Sequence, residues 1–450
     1  MQKRSLLRRS PIIVALVASL GVAPLAHASG WGGGGESTAT RRPILFVHGG
    51  AGSGAQFESQ AQRFAVNGYP SSLVHVFEYD SQFGVETFEE VQQRLDATID
   101  VLRQATGSAQ IDLIGHSLGT RVGQTYLTAG PEHASRVAHW VNIDGYPATA
   151  LPGEVPTLAV WAGVGAPGRS VAGATNVTIP DQTHVQAATS AETFAQIYQF
   201  FTGSAPRTTS IEATSEVQIA GRATIFPQNV GVEPKSAVAV FQIDPVTGQR
   251  TSNEPLATAQ LTASGRFGPF KVRGDAHHEL VVFRPSAPPH HFFYEPFVRD
   301  DHLLRLNLSR PGEGLDAKVA KGPNHVALTV VRFKEFWGDQ GAQNDALQIG
   351  DTNVINAKTS PRANRTVSVY AFDERSDGQS DLSIPLPTIY GTPFLTGVDL
   401  YVPSWRTENA DPAVDILVTP RGNEGQKRGF AVPALPSSEA RITVQLHDYE

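Results

Sequence analysis

Hydrophobic positions along the chain fall into two textures. From Arg41 to about Pro206, short apolar runs alternate with longer stretches in which apolar residues return every three or four positions. PILFVHG, SLVHVFEY, IDLIGHS, VAHWVNIDG, PTLAVWAG and ATNVTIP lack period-two alternation, as strands buried on both faces do. Between them, GAQFESQAQRFAVNG sets Phe57, Ala61 and Phe64 at helical spacing and stops at Gly68. VETFEEVQQRLDATIDVLRQATG sets Phe88, Val91, Leu95, Ile99 and Leu102 along one face. LGTRVGQTYLTAG and AETFAQIYQFFTG are two more helices. Strands alternating with helices predict a parallel sheet of about six strands, flanked by helices, over residues 41–204.

Past SAPRTTS the texture changes. VQIAGRATIF, SAVAVFQI, ELVVFR, VALTVVRF, TVSVYAF, GVDLYV, VDILVT and RITVQL are short β-type runs, separated by turns such as DPVTGQ, SDGQSD and PRGNEG. Residues 205–450 therefore read as a sandwich or barrel region. SRPGEGLDAKVAKGPN, around residue 315, is the expected seam between two subdomains. HHFFYEPF, residues 290–297, reads as β core, and FVRDDHLLRL as a salt-bridged strand entry.

The first 28 residues stand apart from both textures. Lys3, Arg4, Arg8 and Arg9 precede an apolar run from about Ile12 to Leu25, and Ala26-His27-Ala28 offers small residues for cleavage. This is the pattern of a secretory leader, removed after Ala28, and it predicts an extracellular or periplasmic protein. The apolar run is short for a membrane span and contains Pro24. Residues 29–40, SGWGGGGESTAT, read as a flexible tether.

Composition narrows the field further. The 450 residues suit two or three domains. There is no cysteine, so disulfides, thiol nucleophiles and Cys-ligated metals are excluded. Acidic residues outnumber basic ones by 43 to 36, and loss of the leader removes four of the basic ones, which argues against nucleic acid as a partner.

One stretch carries chemistry. In IDLIGHSLGT a predicted strand ends at Gly115, and Gly115-His116-Ser117-Leu118-Gly119 matches the G-x-S-x-G nucleophile elbow, with a predicted helix following as that motif requires. A serine at such a kink needs a base, and the base needs an orienting acid, in the chain order Ser, acid, His. Downstream within the domain, histidine occurs at 133, 139 and 184. His133 lies in the polar PEHAS turn and His139 early in a strand. His184, in the loop IPDQTHVQ at the sheet edge that carries the elbow, is the candidate base. The acids available are Glu132, Asp144, Glu154 and Asp181. Asp144 ends the strand HWVNIDG at the correct edge and is the candidate. Backbone N–H groups of Leu118, and of Gly50 in FVHGGAGSGAQF, are the candidate oxyanion donors. That glycine loop lacks the lysine and spacing of a phosphate-binding loop. His277-His278 and His290-His291 lack a matching set of further ligands, so no metal and no cofactor are expected.

With these residues in place, the chain resembles the two-domain α/β-hydrolase lipases, and more closely the archaeal and bacterial long-chain carboxylesterases with a C-terminal β domain. FVHGGAGSGAQFESQAQRFAVNGYP, FEYD, GHSLGT, DQTHVQ, ETFA and FVRDDHL carry the likeness, which extends over nearly the whole mature chain. The resemblance implies Ser117, Asp144 and His184 as triad, Gly50 and Leu118 as oxyanion donors, and lipid or fatty-acid esters as substrate, with transient contact with lipid aggregates. It also implies that the β domain helps bind the acyl chain. Two features depart from the family. Only SQFG separates FEYD from the next helix, leaving no room for a sizeable lid, and Gly50 stands where a bulkier apolar residue is common. A polyester or aromatic-ester hydrolase with the same triad, and a catalytically silent scaffold that binds a polymer or surface, are the alternative readings.

Overall fold

The continuous apolar runs have a simple cause. Along Ile44–Val47 (β1), Leu45 and Val47 pack into one core while Ile44 and Phe46 pack into another, so neither face of the strand can be polar. A computed structural model describes residues 41–384, 386, 389, 394–405, 412–422 and 426–449. The leader and tether expected over residues 1–40 lie outside the described residues.

β1 is joined by Val74–Phe77 (β2), Ile111–His116 (β3), Val137–Ile143 (β4), Thr157–Ala162 (β5) and Thr175–Ile179 (β6) in a six-stranded sheet, in the order β2-β1-β3-β4-β5-β6. Every pair is parallel. The helices are Glu58–Val66 (α1), Phe88–Thr106 (α2), Leu118–Thr128 (α3), Pro131–Ala134 (α4), Gln186–Thr189 (α5) and Ala191–Thr202 (α6). On one face, Val91, Leu95, Ile99 and Leu102 of α2 pack with Val122 and Tyr126 of α3. On the other, Phe64 of α1 packs with Phe194 and Ile197 of α6. A capping box between Thr87 and Glu90 starts α2, and left-handed Gly107 ends it. The fold is the expected α/β-hydrolase sheet. Between β2 and α2 the chain makes a tight turn, with the Asp80 carboxylate accepting the amides of Gln82, Gly84 and Val85.

Beyond residue 210 the described residues are mainly β, in three sheets of three, eight and four strands. The eight-stranded sheet runs in the order 395–399, 368–372, 328–331, 441–445, 287–294, 277–284, 237–243, 257–260. Its two faces have separate tasks. Val330, Val369, Ile442 and Val444 point to one side and pack on the four-stranded sheet through Leu347, Ile416 and Phe430. Leu280, Val282 and Phe292 point to the other side and pack on the three-stranded sheet through Ile219, Leu304 and Leu306. Strand 441–445, the last in the chain, lies between 287–294 and 328–331 and is parallel to both, so the sheet runs unbroken from one half of the region into the other.

Several strands carry no clear sequence pattern. In 266–273, RFGPFKVR, a register shift falls between Phe267 and Phe270, and Pro cannot donate to a ladder. HHFFYEPF does contribute core, with Phe292, Phe293, Tyr294 and Phe297 buried. FVRDDHLLRL does carry an ion pair, made by Arg305 with Glu78, which follows β2. Asp301 of the same segment is buried without an ion pair among the described residues, and burial raises its carboxyl above the ordinary range. No helix among the described residues is long and apolar enough to cross a membrane.

Candidate active site

The elbow is built by clearance. Ser117 links β3 to α3 with φ 52° and ψ −120°, a conformation that a non-glycine residue adopts only under constraint. A Cβ on Gly115 would come within 2.6 Å of the Trp140 ring and 2.8 Å of the Gly119 carbonyl oxygen, and one on Gly119 would collide with the backbone of Val47 and His48. Both glycines are therefore required by contact. The Ser117 amide donates to Ile143 O (3.1 Å), and Thr120 returns both its amide and its hydroxyl to Ser117 O.

Asp144 lies one strand over, where His116 pairs with Ile143. It is left-handed, with φ 44°. Its Oδ2 accepts a 2.6 Å hydrogen bond from Nδ1 of His184. Its Oδ1 accepts the Ala162 amide at 2.8 Å and pairs with Arg169, whose guanidinium also lies over the Trp161 ring. Burial raises the carboxyl's pKa. The His184 bond and charge, the Ala162 amide and Arg169 outweigh burial and hold it below the ordinary range. With Nδ1 committed to Asp144, the His184 nitrogen left for chemistry is Nε2. Ser117, His184 and Gly50 line one cavity of about 1630 Å³, its open mouth included. Ser117 Oγ has no hydrogen-bond partner among the described residues. Contacts of this kind are often long until substrate binds.

Of the two candidate oxyanion donors, Gly50 lines the cavity and Leu118 directly follows Ser117. Neither amide has a partner among the described residues, and Leu118 is the first residue of α3, whose leading amides are free by geometry. A Cβ built on Gly50 would have Leu118 Cδ2, at 3.9 Å, as its nearest neighbour. His48 is structural: it stacks on Tyr79, and burial pushes its pKa down to about 3.

Two groups escaped the sequence reading. His116, inside the motif, is a spacer between loops. Gln56 Nε2 donates to its Nδ1 (2.7 Å), and its Nε2 donates to the carbonyl of His184 (2.9 Å). Burial, with the neighbouring His184 ring, pushes its pKa down to about 3, so it stays neutral. The second group is Glu335 of the β region, fully buried. Its carboxylate accepts the amides of Val185 (2.6 Å) and Gln186 (3.2 Å) and the hydroxyl of Thr183. It thus grips the residues on both sides of His184. Phe394 stacks on the His184 ring from the same region, centroids 6.1 Å apart. No local signal marks Glu335, because its partners lie some 150 positions away.

The histidine pairs go elsewhere. His291 bonds to Glu279, His290 to Thr443, and His277 packs on Phe430. Among the described residues no group of three or more His, Asp and Glu could hold a metal ion.

Comparison with known families adds to this geometry. The family model for class 2 lipases matches residues 41–139, the model for the lipase C-terminal domain matches 215–311, and a further C-terminal-domain model matches 314–450. The chain matches a two-domain lipase family. That match is to carboxylic ester hydrolases. No curated protein matches the lipase-like chain. Among solved structures, the Aspergillus fumigatus lipase B is 13% identical with a TM-score of 0.30, over 38% of this chain and 54% of that one. The lin2722 gene product of Listeria innocua is 14% identical with a TM-score of 0.29, over 38% and 97%. A pyrethroid hydrolase of Sphingobium faniae is 13% identical with a TM-score of 0.28, over 36% and 98%. Likenesses this slight say nothing of substrate.

Proposed function

We propose that the protein is a secreted esterase that cleaves lipid or fatty-acid esters by acyl transfer to Ser117. The observation that carries this reading is the strained Ser117 facing the same cavity as a histidine whose Nδ1 is tied to a buried carboxylate. Ser117 Oγ attacks the ester carbonyl while His184 Nε2 takes its proton. Asp144 holds the imidazole in the required tautomer and favours its charged form. The amides of Gly50 and Leu118 receive the developing oxyanion, where one such donor is worth about 10²–10³ in rate. His184 returns the proton to the leaving alcohol, and water repeats the sequence to free the acid.

The cavity floor supports a long acyl group. Phe292, Val331, Tyr370 and Phe372 line it, all on the side of the eight-stranded sheet away from the four-stranded one. The basic and apolar segments of the first 28 residues support export. The aromatic side chains on the floor also suit aromatic esters, and a chain-length panel of nitrophenyl esters run beside benzoate esters separates the two classes. The decisive test is labelling with a fluorophosphonate followed by peptide mapping. The label is expected on Ser117, and Ser117→Ala should lose both label and turnover. Modification elsewhere, or activity surviving the substitution, would refute the mechanism.

A further inference from the structure

The cavity extends well beyond the serine. Its floor crosses the eight-stranded sheet from Phe394, against His184, through Tyr370, Thr329 and Thr443 to Arg284. Strand 277–284, which ends in Arg284, is five strand spacings from 395–399. At about 4.8 Å per spacing, about 24 Å separates the two ends.

Arg284 is anomalous. The residue is 8% exposed, its Nε is buried without a partner, and its guanidinium makes no hydrogen bond or ion pair among the described residues. Two carboxylates attract it from beyond ion-pair range, Glu233 and Asp316. Both have other partners: Asp316 is bound by Arg441 (2.8 Å), Lys321 (3.0 Å) and the Gly312 amide, and Glu233 accepts the Ser286 hydroxyl (2.7 Å). His290, also on the cavity wall, is bonded to Thr443 and kept neutral by burial. On the wall at this end, two guanidinium groups, Arg284 and Arg441, face one carboxylate, Asp316, which Arg441 already engages. A charge withdrawn from water without a partner is costly, and such groups call for an explanation. A ligand that brings the missing anion supplies one.

We propose that Arg284 forms a distal anion subsite that takes a carboxylate at the end of a long alkyl chain lying along the cavity floor. The carboxylate belongs either to the far end of an acyl group whose ester sits at Ser117, or to a free fatty acid held in the same channel. The proposal deepens the esterase reading and rests on it.

Two arms test it with the full chain. The first compares p-nitrophenyl monoesters of dicarboxylic acids, from succinate to octadecanedioate, with methyl-ended esters of equal length. The ratio of kcat/KM, charged to neutral, is expected to rise on the order of tenfold at one long chain length, to lose that rise in Arg284→Met, and to keep part of it in Arg284→Lys. The ratio is taken within one protein, so a general loss of folding or turnover cancels. The second arm compares inhibition of p-nitrophenyl butyrate hydrolysis by hexadecanoate and by hexadecanol. A preference for the acid that disappears in Arg284→Met assigns the subsite to free fatty acid. If neither arm separates a charged from a neutral chain end in the wild type, or if Arg284→Met behaves as the wild type does, the subsite is overturned. Failure of the esterase reading would show differently, as turnover of butyrate that persists in Ser117→Ala.

Discussion

The elbow and the loops that face it are supported in different ways. Ser117 is held by its own neighbourhood: Thr120 in the next turn, Ile143 on the adjoining strand, and two glycines whose contacts are Trp140 and the backbone of β1 and α3. The loops facing it depend on the β region. Asn229 Nδ2 donates to Gly52 O and Tyr79 O (3.1 Å each) beside the Gly50 loop. Glu78 accepts the Gly54 amide and is paired with Arg305. Glu335 holds the residues on either side of His184. Ser117 is thus set by the hydrolase sheet alone, while the loop that carries His184 is held from both sides, by Asp144 and His116 of the sheet and by Glu335 of the β region. The β region is scaffold and cavity wall at once.

The severest break on the histidine side is Asp144→Asn. Asparagine tolerates the left-handed backbone at this position, so the turn survives. The imidazole loses the acceptor that fixes its tautomer, and kcat is expected to fall about 10³–10⁴-fold. Arg169 also loses its charged partner. A variant that keeps wild-type kcat on nitrophenyl butyrate would remove Asp144 from the machinery.

Glu335 is the next break, because it acts through position alone. Alanine there leaves the buried Val185 amide without an acceptor, at about 1–3 kcal/mol, and frees the half-buried Gln186 amide as well. The loop is expected to relax, lowering kcat on the order of tenfold to a hundredfold while KM for a short ester moves little. Glu335→Gln keeps one acceptor and should recover part of the loss. Burial alone would not predict that split, or its rescue by the amide. If alanine and wild type share one kcat, the β region has no part in holding the base.

The same contrast explains what the sequence could reveal. An elbow is local: a strand, two glycines at fixed spacing and a helix all fall within twenty residues, so Ser117 is legible from one window. His184 and Asp144 are legible one step further out, because an alternating pattern fixes which loops open at the serine's edge. Glu335 is not legible at all. In RFKEFWGD it is one acidic residue among charged neighbours, and its function appears only when strand 328–331 is placed beside the histidine loop. Strand 428–433, RGFAVP, was hidden for a related reason: its burial is set by pairing with 413–419, and it has no alternation of its own.

Acid should separate the two supports by a smaller margin. Behind Glu335, the guanidinium groups of Arg332 and Arg421 donate to its carbonyl and pair with Asp345. Burial raises the Asp345 carboxyl, but the two guanidinium groups and two backbone amides more than offset this and bring it to about 2. A depressed native pKa stabilises the fold above the unfolded value, near 3.8, and that stability is lost as pH falls toward about 2. Its size is on the order of 2 kcal/mol. The urea midpoint of the wild type should drop across this window. Asp345→Asn, less stable throughout, should lack that part of the drop, and a parallel decline in both proteins would assign the acid sensitivity elsewhere.

Gly50→Ala is the gentlest probe and falls on the seam of the comparison, since Gly50 faces the elbow from a loop that the β region braces. A methyl group there meets nothing nearer than Leu118 Cδ2 at 3.9 Å, and the residue is absent from the left-handed glycines. Stability is therefore expected to change by no more than about 0.5 kcal/mol, as at unconstrained surface positions. The amide is retained, so oxyanion stabilisation survives and kcat on acetate esters should stay within about twofold of wild type. The methyl does narrow the entrance beside Leu118, and KM should rise most for bulky acyl groups. Gly115→Ala reverses this outcome. Its methyl meets Trp140 and the Gly119 backbone, so overpacking of about 1–3 kcal/mol should lower the melting temperature. Equal losses of stability from the two alanines would mean that contact does not distinguish the loop glycine from the elbow glycine, and the difference between the two supports would fail at its most local test.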